Sequence, residues 1–337
     1  MLFITFHADY KANATNLVIN CNILLDTNYV YTYPKSFLIS PFYAQRNFLI
    51  KLSPTIGRNS TFIPNMSDAF GINIGYGNFR LQLATKFPNT TQSIEDKVKS
   101  TYTDLNLQML KRKFIIELSY KNIIGFVDKD YEKIKPTDPM VYANPNMRVI
   151  YAKLNYTHIF SDKFSARAAY RLMERQKRGA GSWLLTGGLS YLRLGSTGRT
   201  GNANAFLDPN VRPDFGEYGT VRNMTAIGIS ALGGYGHTFV YKKFFFTAIG
   251  VLGLETERGI YQITTNKEIT DFFITPAFDI KAVLGYNHHH WFAGISGHLE
   301  TNQFRMGSAR GSAIYETVGF FVGRRIQKDK IFKKKKK

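Results

Sequence analysis

The chain has 337 residues, 44 Lys and Arg against 24 Asp and Glu for a formal net charge of +20, 15% aromatic residues, 28 Gly and a single Cys, Cys21. One Cys excludes an intramolecular disulfide framework and a zinc site built from several thiolates, and 44% hydrophobic with 20% charged residues excludes a disordered chain. A mean hydropathy of −0.21 excludes a bundle of membrane helices; the longest uncharged stretch, 223–241, is Gly-rich and not helical in pattern.

The N-terminus opens on MLFITF, too short for the apolar core of a secretory signal. Val18, Ile19 and Asn20 before Cys21 lack the small side chains of a lipoprotein cleavage site. Segment 1–35 therefore reads as a lead-in, either a residual export signal or a periplasmic approach. From there the dominant signal is alternation at period two, in segments of roughly ten residues broken by polar turns. Strands are predicted over 37–53, 68–76 and 78–87, where Phe79, Leu81 and Leu83 alternate with Arg80, Gln82 and Ala84. Next come 100–109 and 113–122; in the latter Phe114, Ile116, Leu118 and Tyr120 oppose Glu117, Ser119 and Lys121. Strands follow over 147–158 and 163–174, with Ala166, Ala168, Tyr170 and Leu172 opposing Ser165, Arg167 and Arg171. The remaining segments are 181–193, 223–236, 243–255, 271–285, 290–302 and 311–325, and 327–337 is a basic tail ending in Lys333–Lys337. Helical signals are nearly absent; 91–99 has the pattern of one or two turns.

Short turns, such as Gly77-Asn78 and Lys242-Lys243, alternate with long connections at 54–68, 88–99, 125–146, 195–222 and 256–270. That asymmetry belongs to an up-and-down antiparallel barrel. The thirteen segments conflict with the even count normal for a bacterial barrel. One strand is hidden in 195–222 or wrongly assigned nearby, and twelve strands is the preferred reading, with ten and fourteen as alternatives. A barrel that wide cannot fill its interior with apolar side chains. Polar stripes bearing Asp104, Glu117, Lys153, Arg167, Arg171, Asp279, Lys281 and Glu300 suit a hydrated lumen with paired charges. Aromatics near strand ends (Phe79, Phe114, Tyr120, Phe160, Phe164, Phe244, Phe245, Trp291, Phe292) suit membrane-interface girdles. The predicted fold is all-β: a single transmembrane barrel over 36–326.

At 170–194, YRLMERQKRGAGSWLLTGGLSYLRL, the sequence resembles the bacterial proteins grouped as domain of unknown function 4421, common in Bacteroides-type bacteria. DTNYVYTYP at 26–34, RVIY from Arg148 and GYGHTF from Gly234 support the resemblance, which runs in order over roughly 26–326. It implies an outer-membrane-like barrel in a Gram-negative bacterium and no assigned activity.

Ser296, His298 and Glu300 share one strand face. Residues two apart on a strand lie about 6.6 Å apart, too far for a triad without other strands, so they read as a lumen stripe. His288, His289 and His290 in one tight turn cannot converge on one ion and read as an interfacial turn. Arg167, Arg171, Arg175, Lys177 and Arg178 form the one basic cluster with a functional reading, a site for an anion or lipid headgroup through bidentate Arg contacts. Gly179 and Gly181 do not form a nucleotide loop. No catalytic set, metal site or cofactor is expected. The expected partner is membrane lipid or lipopolysaccharide, not nucleic acid, since no module interleaves basic and aromatic residues; outer-membrane protein partners are left open. The function expected is a structural or assembly component, a narrow pore, or a receptor for an anionic ligand. Alternatives are a lipid-modifying outer-membrane enzyme and a soluble β-rich lipid-binding protein.

Overall fold

A computed structural model describes residues 28–33, 36–64, 68–86, 100–130, 142–169, 172–196, 205–263 and 267–327. The strands are β1 (Val30–Thr32), β2 (Ser36–Ser53), β3 (Ser60–Pro64), β4 (Asp68–Tyr76), β5 (Phe79–Lys86), β6 (Thr101–Leu110), β7 (Phe114–Asp128) and β8 (Tyr142–Ile159). They continue as β9 (Glu174–Gln176), β10 (Ala180–Ser196), β11 (Val221–Tyr241), β12 (Phe244–Ile263), β13 (Glu268–Asn287), β14 (Trp291–Met306) and β15 (Ala309–Gln327). One helical turn, α1 (Ala166–Ala169), and a 3₁₀ segment, Arg212–Thr220, complete the elements.

Twelve strands close an antiparallel barrel in chain order, omitting β1, β3 and β9, and β15 returns to pair with β2. At one end four connections are short, Gly77-Asn78, 111–113, Lys242-Lys243 and 288–290, and the fifth, 160–179 between β8 and β10, is long. The other end carries the long connections. There β4, β5 and β6 are shorter than their neighbours, and β3 bridges the gap above them, pairing with β2 on one side and β7 on the other.

The strand predicted over 163–174 is not in the barrel wall, and removing it leaves the even count. Its described residues lie in the short-turn mouth, where 166–169 form α1, β9 begins at Glu174 and β1 pairs with β9. Phe164, Ala166, Ala169, Leu172 and Met173 are buried there against Leu38, Phe42, Leu110, Ile159 and Leu184. Its alternation was a by-product of a segment enclosed on several sides, where period two and a helical turn bury the same alanines. The connections predicted at 125–146 and 256–270 are also shorter than expected. β7, β8, β12 and β13 run past the apolar band, and there outward residues such as Thr256 and Arg258 become polar and break the pattern. The helical turn expected over 91–99, the tail 327–337 beyond its first residue and most of segment 1–35 lie outside the described residues.

The barrel has the membrane sense. Outward positions on successive strands are apolar and exposed: Leu185 and Leu189 on β10, Ile229 on β11, Leu252 (73% exposed) on β12, Phe272 (74%) on β13 and Ile295 on β14. A continuous exposed band of that kind is far beyond what water tolerates on a monomer, which removes the soluble alternative. Phe79, Phe160, Phe244 and Trp291 stand exposed at the short-turn rim with Trp183, Phe239 and Tyr241, the girdle expected at an interface. Phe164, Phe245 and Phe292 point inward instead, into the apolar cluster of that mouth.

Candidate functional site

Inward side chains form three layers. At the short-turn end is the apolar plug just described. It is tied to the wall by polar contacts. The Arg167 guanidinium donates to Asn78 Oδ1 (2.8 Å) and the Gly77 carbonyl (2.9 Å) and pairs with Glu174 (3.3 Å). Arg325, 3% exposed, donates from Nε to the Leu172 carbonyl (2.9 Å), from Nη1 to the His288 carbonyl (2.6 Å) and from Nη2 to Asn287 Oδ1 (2.8 Å). Leu172 holds φ at 57°, a conformation costly for a branched side chain; the Arg325 contacts to its carbonyl offset that cost.

At the long-loop end, segment 205–220 folds inward. Phe206, Leu207, Val211, Phe215 and Tyr218 pack against Ile50, Leu52, Phe62, Phe126, Tyr261 and Phe304. Within the segment Asp208 accepts from the Asn210 amide (2.7 Å), and Asp214 ties it to the connection after β2 by accepting from the Arg58 amide (2.8 Å). Tyr218 donates to Asp271, and burial followed by that bond raises its phenol above the ordinary range. Exclusion of these side chains from water supplies the energy that holds the cap, at about 1.5–3 kcal/mol for each large side chain.

Between the two caps lies a polar layer crossing from wall to wall. Arg46 donates to Asp104 and Tyr102. Glu300 accepts from Lys153 (2.8 Å) and from the Tyr151 hydroxyl (3.1 Å), with Lys121 at 3.7 Å. Lys281 lies 2.9 Å from Asp279 and 3.8 Å from Glu117, and His298 Nε2 is 3.1 Å from Asp279 Oδ1. Glu255 accepts from Ser190 and from Asn302 Nδ2 (3.3 Å). Charges removed from water need such partners. A cavity of about 130 Å³, lined by Arg46, Asn106, Lys121, His298 and Glu300, occupies the middle of this layer. Asn73 Oδ1, Asn155 Oδ1 and Thr317 Oγ1 are buried polar atoms on its wall without a protein partner. Such a chamber suits about four waters.

Asp104, Glu117, Lys153, Asp279, Lys281 and Glu300 therefore meet in the lumen as the alternation indicated. Arg46, Tyr102, Tyr151, Tyr315 and Glu255 were not singled out from sequence. For Arg46 the reason is visible: its face of β2 reads Ser40, Phe42, Ala44, Arg46, Phe48, a mixed stripe crossing from plug to polar layer to cap. Ser296 lines the cavity, but no hydrogen bond joins it to His298, whose partner is Asp279. His288 and His289 form an aromatic cluster with Tyr31, Tyr33 and Tyr286 at the short-turn end. Burial and the neighbouring Lys243 hold His288 below its ordinary pKa.

Four of the five basic residues expected to bind an anion lie among the described residues, and each has its own setting. Arg167 sits on α1, engaged as above, not on a strand face with Arg171, which lies outside the described residues. Arg175 is half-buried and donates to the Lys242 carbonyl (3.3 Å). Lys177 and Arg178 are exposed at the rim, with Arg178 over the Tyr29 ring at 6.0 Å. In the neighbouring turn Lys113 lies 2.6 Å from Asp162 and its hydrogen bond holds that carboxyl below the usual range.

No curated protein sequence matches the chain. Among solved structures it is similar to the outer membrane protease OmpT from Escherichia coli, with 6% identity and a TM-score of 0.40 over 87% of this chain and 97% of that one. It is also similar to LpxR from Salmonella typhimurium (8% identity, TM-score 0.32, 85% and 99% covered). A third is the P. putida toluene transporter TodX (6% identity, TM-score 0.29, 88% and 91% covered). A family profile matches residues 25–325, nearly the whole of the barrel described above. The chain belongs to the family described as Domain of unknown function (DUF4421).

Proposed function

We propose that this barrel resides in the outer membrane of a Gram-negative bacterium, with its long connections facing outward, and serves there as a closed structural or receptor component rather than as an open pore or an enzyme. The observation that carries the reading is the double seal. Apolar clusters around 164–173 and 205–220 cover the two mouths, and a small polar chamber lies between them. Ions crossing such a barrel would have to displace two packed apolar layers, and buried side chains of this size do not part without a large cost. The ion-paired lumen supports the same reading, since Arg46 with Asp104, Lys153 with Glu300 and Lys281 with Asp279 are held to one another instead of lining a path. The test is conductance of the folded, purified protein in planar bilayers. The protein as it stands gives no steady single-channel current, whereas a variant with 164–173 and 205–220 replaced by short Gly-Ser linkers conducts. Steady channels from the unaltered protein would overturn the reading.

A further inference from the structure

Beyond the lumen, the outer surface near the long-loop rim carries three cations close together. Arg305 on β14 and Arg310 on β15 are direct register partners, both exposed and both facing outward. The register of β15 with β2 pairs Arg310 with Ser53 and Ser312 with Lys51. Lys51, also exposed, is thus the diagonal neighbour of Arg310 on the same face, about 7–8 Å away. Like charges directly opposite one another destabilise a strand pair. Among the described residues no carboxylate forms an ion pair with any of the three.

The platform beneath them is fixed. The Tyr261 hydroxyl donates to the Arg305 carbonyl. The β14–β15 turn is only Gly307-Ser308, with Gly307 at φ 59° over the Tyr218 ring and the Ser308 carbonyl accepting from Thr55 (3.1 Å). This hairpin therefore adds no loop over the cations, unlike the long connections at the same end. Arg305 stands fourteen residues along β14 from Trp291 in the girdle. At about 3.4 Å per residue and a tilt of about 40°, that is about 36 Å along the barrel axis, or about 10 Å past an apolar band about 25 Å tall. That height is the headgroup zone of the outer leaflet.

The geometry points to a phosphate-binding patch formed by Lys51, Arg305 and Arg310, which takes a phosphate of a phosphorylated glycolipid headgroup in the surrounding leaflet. Two Arg and one Lys stand as neighbours on the outer face of three adjacent strands, and Arg chelates phosphate bidentately. A bound phosphate removes the like-charge conflict that the strand register creates. The identity of the lipid rests on the outer-membrane location proposed above; the binding itself does not, because it is measured in micelles.

The experiment is native mass spectrometry of the folded protein in micelles, titrated with diphosphoryl lipid A, with the same lipid after enzymatic dephosphorylation, and with inorganic phosphate as competitor. The phosphorylated lipid binds at least tenfold tighter than the dephosphorylated one, and millimolar inorganic phosphate does not displace it. R305S/R310S, checked for folding by heat-modifiable gel mobility, loses at least tenfold in affinity for the phosphorylated lipid, while K242S/K243S in the exposed turn at the opposite rim keeps it. Equal binding of the two lipids to the unaltered protein overturns the proposal without needing any variant. Undiminished binding by R305S/R310S overturns the site, and displacement by inorganic phosphate overturns the lipid as its ligand.

Discussion

Glu300 is 6% exposed, and its carboxylate is held by Lys153 and Tyr151 from β8 and by Lys121 from β7. Its Lys153 partner is 147 residues away in sequence. The substitution Glu300→Gln leaves two buried ammonium groups without their carboxylate. Removing one partner of a buried pair costs about 3–5 kcal/mol, because the remaining charge is stranded away from water. Equilibrium urea unfolding of the variant in micelles should show a loss of that size; a loss under about 1 kcal/mol would mean that these charges are already solvated. At this scale the sequence announced the stripe but not the pairing. Alternation assigns Lys153 and Glu300 each to a polar face, yet which acid meets which base depends on barrel closure, and no local pattern carries that.

At Gly234, β11 lies close against the backbone of β12. A Cβ there would meet the backbone carbonyl of Gly250 and the Cα of Val251, neither of which can turn aside. Its neighbour Gly233 faces outward with nothing within 4 Å. Gly234→Ala should therefore destabilise the barrel by about 1–3 kcal/mol, whereas Gly233→Ala should be neutral or stabilise by about 0.5 kcal/mol, since Gly in a strand interior carries an entropic cost. Unfolding midpoints of the two variants separate the outcomes, and equal midpoints would show that the close approach is absent. Strands were the most legible part of the sequence. All twelve wall strands coincide with alternating segments, because the lipid face enforces apolar residues at every second position. What was not legible was the fate of 163–174 and 205–220. The described residues of both segments lie in the barrel's mouths, where burial comes from several directions and no single period marks it. Arg167 illustrates the consequence: on a strand it would have joined a basic face with Arg171, whereas on α1 it reaches Gly77, Asn78 and Glu174.

For the molecule as a whole, the charge of +20 and the wealth of Phe, Tyr and Gly separate in space. Among the described residues, most acids and bases of the lumen pair with one another and the remaining cations stand mainly on turns and the outer rim, while large aromatics gather in the girdle and the two caps. A sealed, charge-paired barrel with an apolar exterior makes a definite claim about every second residue of a wall strand. The most direct measurement is a nitroxide scan of positions 246–255 on β12 in a Cys21→Ser background, reconstituted in lipid vesicles. Collision with oxygen should be high at 246, 248, 250, 252 and 254 and low at 247, 249, 251, 253 and 255, with a water-soluble nickel chelate excluded from both sets. Chelate reaching 251, 253 and 255 would contradict the seal, and oxygen favouring the odd positions would contradict the membrane-facing sense of the barrel.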